Sequence, residues 1–345
     1  MKPREERIVE RCIRAVEERV CPGGIVGTVR ASGEKKTYPF GHLTDIDSAF
    51  VMDDTMYDVA SITKSIPTAS LTLALIDKGA LSLDDLVAKH LHEFRNNYSD
   101  RVTIWHLLTY TIDSAPLSTL ADKTSDEILA FVMARDMEHE PGTAFRYSNT
   151  PALLLGLIIE RVLGVGIAQA AQDVFFRPLG MKSTGFMPQK NLQSRIAPSE
   201  GGLRGVVHDE SARVFASEGR AVGHAGLFST APDMMNFLEM LLRGGEMRGR
   251  RYLSQKIIRD MATNQISELG DSTGLGWELN QARFMGKHPS ERTFGKTGFA
   301  GTSIVCDIER GSAFVILTNR TYPKRPPDDT AINAFRNDIA DILLA

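Results

Sequence analysis

Residues 4 to 20 place Ile8, Val9, Cys12, Ile13, Val16 and Val20 at three- and four-residue intervals among charged neighbours, which predicts a one-faced amphipathic helix. Such a helix needs a surface to cover its apolar stripe. Next, GGIVGTVRA and KKTYPFGHL, separated by SGE, have the composition of two paired strands and predict a hairpin. From about 61 to 245 the spacing turns helical. Helices are predicted over 61–79, 82–90, 103–109, 124–134, 150–163, 167–175 and 232–243, with loops rich in Gly, Pro and Ser between them. GTSIVCDIE, a short Arg-Gly turn and GSAFVILTNR predict a second hairpin, and DDTAINAFRNDIADILLA a closing amphipathic helix. TYPKRPPDD reads as a loop, and no internal repeat or low-complexity tract interrupts the pattern.

Strands at both ends and helices between them predict an α+β fold. One antiparallel sheet is assembled from the two termini and flanked by the terminal helices, with a mainly α-helical region inserted. The expected division is a discontinuous sheet unit, 1–60 with 246–345, and a helical unit, 61–245, with the active site at their interface.

Composition narrows the function classes. At 345 residues with 42% hydrophobic and 24% charged residues, the chain can bury a sizeable core. The formal net charge of −3 gives no electrostatic reason to expect nucleic acid or an anionic membrane as a partner. Three cysteines, Cys12, Cys21 and Cys306, lack metal-ligand spacing and read as thiols in a reducing compartment. The N-terminal twenty residues are charged throughout, and the richest apolar run, PALLLGLIIERVLG, is broken by Glu160 and Arg161. A cytoplasmic location is the resulting expectation.

Three stretches carry candidate chemistry. In YDVASITKSIPTASL, Ser61 precedes Lys64 by three residues where strand-like character gives way to a helical pattern. On a helix, positions i and i+3 share a face, so Lys64 Nζ can reach Ser61 Oγ, and the Ser61 N–H sits where a helix dipole favours negative charge. Tyr147-Ser148-Asn149 stands just before the 150–163 helix, and Lys296-Thr297-Gly298 precedes an apolar β-branched strand. Singly, each is an ordinary structural feature: a helix cap with a solvated lysine, a second cap, a turn. A lysine base must be desolvated or crowded by another cation to lose its proton near neutrality. If the three stretches meet, Lys296 supplies that cation, and the two together would favour the Tyr147 phenolate as a proton shuttle to and from a leaving group.

In this order the three motifs resemble the serine β-lactamase and penicillin-binding protein superfamily, within it the class C β-lactamases and the carboxylesterases similar to them. RPLGMKSTGF, GHAGLFSTAPDMMNFLEMLLRGG and GLGW resemble that family's connecting segments. The resemblance implies Ser61 as nucleophile with Lys64 and Tyr147 as catalytic partners. It implies an oxyanion site made by the backbone N–H groups of Ser61 and Phe299, and substrate binding by Asn149, Lys296, Thr297 and Gly298. It also implies that His208, Asp209, Glu210 and His224 shape a loop bordering the cleft. No cofactor or metal is expected: His-Glu-x-x-His is absent, and His90, His92 and Glu93 read as a solvated face. Gly295-Lys296-Thr297 imitates the end of a P-loop, but Ser290 stands where its first glycine belongs and a strand follows.

The sequence departs from its relatives at LLTYTIDSAPL, where Tyr110, Ile112 and Asp113 replace a common His-Thr-Ser-Gly run. Lys296 matches the β-lactamases and penicillin-binding proteins, where many esterase-like relatives carry His or Trp. The expected function is therefore a serine hydrolase forming an acyl-enzyme with a small ester, amide or β-lactam, with esterase or amidohydrolase action first. The alternatives are a true β-lactamase or D-Ala-D-Ala peptidase and, from another class, a non-catalytic ligand-binding or scaffold protein of the same fold. The oligomeric state is left open.

Overall fold

In the computed structural model, residues 2–45 and 49–345 are described. The sheet is formed by β1 (Gly23–Arg30), β2 (Lys35–Gly41), β3 (Glu278–Leu279), β4 (Thr293–Thr297), β5 (Ser303–Asp307) and β6 (Ser312–Thr318). Their spatial order is β2-β1-β6-β5-β4-β3, antiparallel at every pairing. The two hairpins thus meet along β1 and β6, the first and last strands in sequence, with Ile25 opposite Leu317 and Val29 opposite Ala313. Period-two alternation sorts their side chains. Ile25, Val29, Ile304, Cys306, Ala313, Val315 and Leu317 enter the larger core, and Val26, Val305, Phe314 and Ile316 enter a second one.

That second core lies under α1 (Arg4–Glu17) and α6 (Thr330–Leu344), which pack on each other and cover one sheet face with Ile8, Cys12, Phe335 and Ile339. The amphipathic termini therefore find their partner as the pattern requires. The opposite face is covered by α5 (Ala231–Leu242), packed on β1 and β6. The sequence reading placed this helix in the inserted region. It is buried almost all round, from Met234 and Met235 to Leu241, with the sheet on one side and the ring of Phe175 packed on its Phe237.

Other helices differ from their predicted extents. The run 61–79 is not continuous: a 3₁₀ turn at Ala60–Lys64 and an irregular stretch precede α2 (Ser70–Asp77). Ile66, at φ −121° and ψ 108°, is extended because Pro67 crowds the backbone before it. Only Val87–His90 is helical within 82–90, since Ser82, Asp84 and Asp85 close a side-chain turn ahead of it. The helix α3 (Thr150–Leu163) has its predicted bounds, whereas α4 (Glu210–Ser217) and the helix Gln255–Met261 were not anticipated. Of the strand-like Tyr57–Ala60, Tyr57–Asp58 pairs, antiparallel to Leu227–Ser229.

Candidate active site

Ser61 is placed by a buried carboxylate and an unusual backbone. Asp58 accepts from the N–H groups of Ala60 and His208, each at 2.8 Å, and Ala60 adopts φ +48°, a left-handed conformation rare for a residue with a Cβ. The chain then turns through the 3₁₀ segment, in which residues i and i+3 eclipse. Lys64 Nζ consequently lies 2.9 Å from Ser61 Oγ and donates also to the His224 carbonyl at 2.9 Å. The expected proximity holds, but its cause is a short 3₁₀ turn. No long helix begins at Ser61, so the helix-dipole contribution expected there is confined to a single turn.

Tyr147 arrives from the loop before α3. Tyr110, at φ +55°, accepts the Arg146 N–H on its carbonyl at 2.8 Å, and its ring packs on the Tyr147 ring with centroids 5.2 Å apart. The Tyr147 hydroxyl interacts with both Ser61 and Lys64. Asn149 does not cap α3 with its side chain: its amide donates to Asp209 at 3.0 Å. Ser148 instead pairs with Ser114 at 2.6 Å. Asp209 further accepts from Ser211 Oγ and the Ala212 N–H, capping α4, and lies 3.4 Å from His224 Nε2.

Lys296 and Thr297 end β4, a strand the sequence reading did not anticipate, and precede the apolar β5 as expected. Lys296 is fully buried, with its ammonium 4.2 Å from the Tyr147 ring centroid and 5.3 Å from that of Tyr110. It donates to Glu278 at 2.7 Å, and the other Glu278 oxygen accepts from Arg283, whose guanidinium reaches Thr297 Oγ1 at 3.3 Å. After Thr297 the backbone turns. A Cβ on Gly298 would fall 2.4 Å from the Val59 carbonyl oxygen, so only glycine lets this turn close on the segment leading into Ser61. Thr302 ties the same junction, donating to the Val59 carbonyl at 3.0 Å. The turn's internal bonds, Gly298 N–H to Thr302 and Gly301 N–H to Gly298, leave the Phe299 N–H outside them.

The two lysines are electrostatically unlike. Burial lowers the Lys64 pKa, with the Lys296 charge adding, against opposition from Tyr147 and Asp209. Burial also opposes charge on Lys296, but Glu278 foremost, with Tyr147 and Tyr110, holds that ammonium well above its ordinary range. Lys296 is thus the fixed cation and Lys64 the one poised to lose a proton. Burial alone would raise Tyr147, which is 45% exposed as a residue, yet Lys296 and Lys64 bring it below the ordinary phenol value. Asp209 is held far below the usual carboxylate range: burial opposes its charge, and His224, Lys64 and the Ala212 N–H outweigh it.

A cleft of about 290 Å³ opens over Ser61, lined by Phe145, Tyr147, Glu278, Arg283, Thr297 and Phe299 among others, Arg320 and Arg336 included. Ser61, Lys64, Tyr147, Asn149, Lys296, Thr297, Gly298 and Phe299 are therefore gathered in one place. Sequence reasoning missed Glu278 and Arg283, which lie in a two-residue strand and a four-residue helix without a motif. The available signal was position: Glu278 directly follows the GLGW segment, and Arg283 lies five residues beyond it.

Residues 9–337 match the family model described as Beta-lactamase. A putative D-alanyl-D-alanine carboxypeptidase of Escherichia coli O157:H7 is 30% identical over 307 residues, which cover 78% of this chain and 70% of that protein. EstCE1, a hydrolase with promiscuous acyltransferase activity, shares the fold with a TM-score of 0.81 at 21% identity, over 99% of this chain and 98% of the other. A penicillin-binding protein homologue from Caulobacter crescentus gives 0.80 at 22% identity with the same coverages. The octameric penicillin-binding protein homologue from Pyrococcus abyssi gives 0.73 at 25% identity, over 96% and 76%.

Proposed function

The chain belongs to the Beta-lactamase family of serine hydrolases, and on that premise we propose that it cleaves amides or esters bearing a nearby carboxylate, through an acyl-enzyme on Ser61. The substrate class is a peptide ending in a D-Ala-D-Ala-like carboxylate, with β-lactams as cyclic counterparts. The observation that carries this reading is the Lys296–Glu278–Arg283 cluster: Arg283 reaches Thr297 Oγ1 at 3.3 Å on the wall facing Ser61, its side chain 41% exposed. A guanidinium beside a hydroxyl is suited to a carboxylate, and a neutral ester has no use for it.

In acylation Ser61 Oγ attacks the acyl carbon and its proton passes to the Lys64–Tyr147 pair. The oxyanion forms between the N–H groups of Ser61 and Phe299. As the tetrahedral intermediate collapses, the bond to the leaving group breaks and Tyr147 returns the proton to the departing nitrogen or oxygen. An ester on Ser61 remains, and water attacks it with the same pair as base. Asn149, anchored on Asp209, faces the acyl portion.

A D-Ala-D-Ala peptide, nitrocefin and p-nitrophenyl butyrate, assayed side by side with intact-mass detection of the Ser61 adduct, test the proposal. The expected order of kcat/KM puts the two anionic substrates above the neutral ester, and Ser61→Ala abolishes both turnover and adduct. Full activity in Ser61→Ala would end the acyl-enzyme reading, and preference for the neutral ester would end the carboxylate reading.

A further inference from the structure

Arg336, on α6, is 3% exposed and far from any motif, yet its guanidinium reaches the turn that follows Lys296-Thr297-Gly298. One terminal nitrogen donates to the Gly298 carbonyl at 2.9 Å and to the Thr302 carbonyl at 2.7 Å, while the other donates to Asn333 Oδ1 at 3.0 Å. We infer that Arg336 is a positioning residue for the oxyanion site, aiming and polarising the Phe299 N–H. This rests on the proposed role of that N–H.

The argument is one of peptide geometry. The Gly298 carbonyl and the Phe299 N–H belong to one planar trans peptide, so they point in opposite directions. Drawing the oxygen back toward α6 turns the N–H toward the cleft. A buried cation on the carbonyl oxygen also withdraws charge from the amide and strengthens its N–H as a donor, since linked hydrogen bonds polarise one another.

The next peptides are held in the same sense. Arg320 Nε donates to the Phe299 carbonyl at 2.9 Å, and the Arg320 N–H donates to the Ala300 carbonyl at 3.1 Å. The carbonyls of 298, 299, 300 and 302 are thereby bound on the protein side, and the Phe299 amide is a donor fixed before substrate arrives, as transition-state stabilisation requires.

Arg336→Lys keeps the charge but loses the fork, and Asn333→Ala removes the acceptor that orients the guanidinium. Thermal melts establish that each variant is folded. Stopped-flow with nitrocefin then gives the acylation rate constant and the dissociation constant of the pre-acylation complex, and titration with phenylboronic acid reports binding of a tetrahedral adduct on Ser61. Acylation and boronate affinity are expected to fall together, by about ten- to a hundredfold in Arg336→Lys and severalfold in Asn333→Ala, with the pre-acylation constant within twofold. Wild-type acylation in either folded variant overturns the inference, as does an equal loss in all three quantities. Should Arg336→Lys fail to fold, Asn333→Ala decides. Absence of a Ser61 adduct in the wild-type chain defeats the proposed function first, and a normal adduct with unaffected variants defeats only the role of Arg336.

Discussion

At the scale of the residue, the site is a charge arrangement in which one lysine is kept protonated so that another is not. Lys296 is held by the Glu278 carboxylate, while Lys64 has the Ser61 and Tyr147 hydroxyls, the His224 carbonyl and the more distant charge of Asp209. If the Lys64–Tyr147 pair must lose a proton to accept one from Ser61, the acid limb of kcat/KM reports that loss. Replacing Lys296 by Met removes the cation that lowers both partners, so their pKa values rise and the acid limb moves to higher pH. Asp209→Asn acts with the opposite sign: the anion that favours Lys64 as ammonium is gone, Lys64 deprotonates more readily, and the limb moves to lower pH. Asparagine still caps α4, so the helix is retained. Limbs measured with nitrocefin that move in the same direction in both variants would contradict this account. Ser61, Lys64, Tyr147 and Lys296 were legible in the sequence because their spacing is a motif; Asp209 was read only as part of a loop bordering the cleft and Glu278 not at all, because the fold, and no local pattern, brings them to Lys64 and Lys296.

At the scale of the element, periodicity found the terminal helices and both hairpins, because their apolar faces pack on one sheet. It failed where tertiary demands override the pattern. Pro67 breaks the predicted 61–79 helix and releases the turn that carries Ser61, and the all-round burial of α5 hides which surface it covers. The helix α6 shows how an element serves both stability and site. Phe335 is fully buried between Phe40 and the Arg11 guanidinium, 5.1 Å from its ring, and Arg336 is next to it in sequence. Phe335→Ala is expected to cost about 3–5 kcal/mol, and Ile342→Ala, nearer the helix end, about 2–5 kcal/mol. Only the first also disturbs the seat of Arg336. Denaturant melts should rank both as destabilised, while the acylation rate of the folded protein falls in Phe335→Ala and stays near wild type in Ile342→Ala. Equal rate losses would mean that α6 affects the site only through global stability.

At the scale of the whole molecule, a net charge of −3 conceals the field of the cleft. Lys64, Lys296, Arg283, Arg320 and Arg336 converge there, with Glu278 and Asp329 as the acidic lining residues. The total could not be read as a steering field, because charge distribution belongs to the fold: these cations come from the 3₁₀ turn, β4, a four-residue helix, the end of β6 and α6. Arg283 is the member whose loss should separate substrates. In Arg283→Gln, Glu278 keeps Lys296 as its partner, so Lys64 and Tyr147 lose little of the field that tunes them. Turnover of a neutral ester should then stay within about twofold, while kcat/KM for a D-Ala-D-Ala peptide falls about tenfold or more, mostly through KM, since a charge-assisted hydrogen bond to the carboxylate is removed. The wild-type preference for the anionic substrate should also shrink as ionic strength rises from about 0.01 to 0.15 M, where the screening length drops from about 30 to about 8 Å. The Arg283→Gln chain should show a weaker salt dependence. If both chains lose the peptide and the ester in parallel, Arg283 supports the wall of the cleft without reading the substrate's charge, and the carboxylate assignment falls with it.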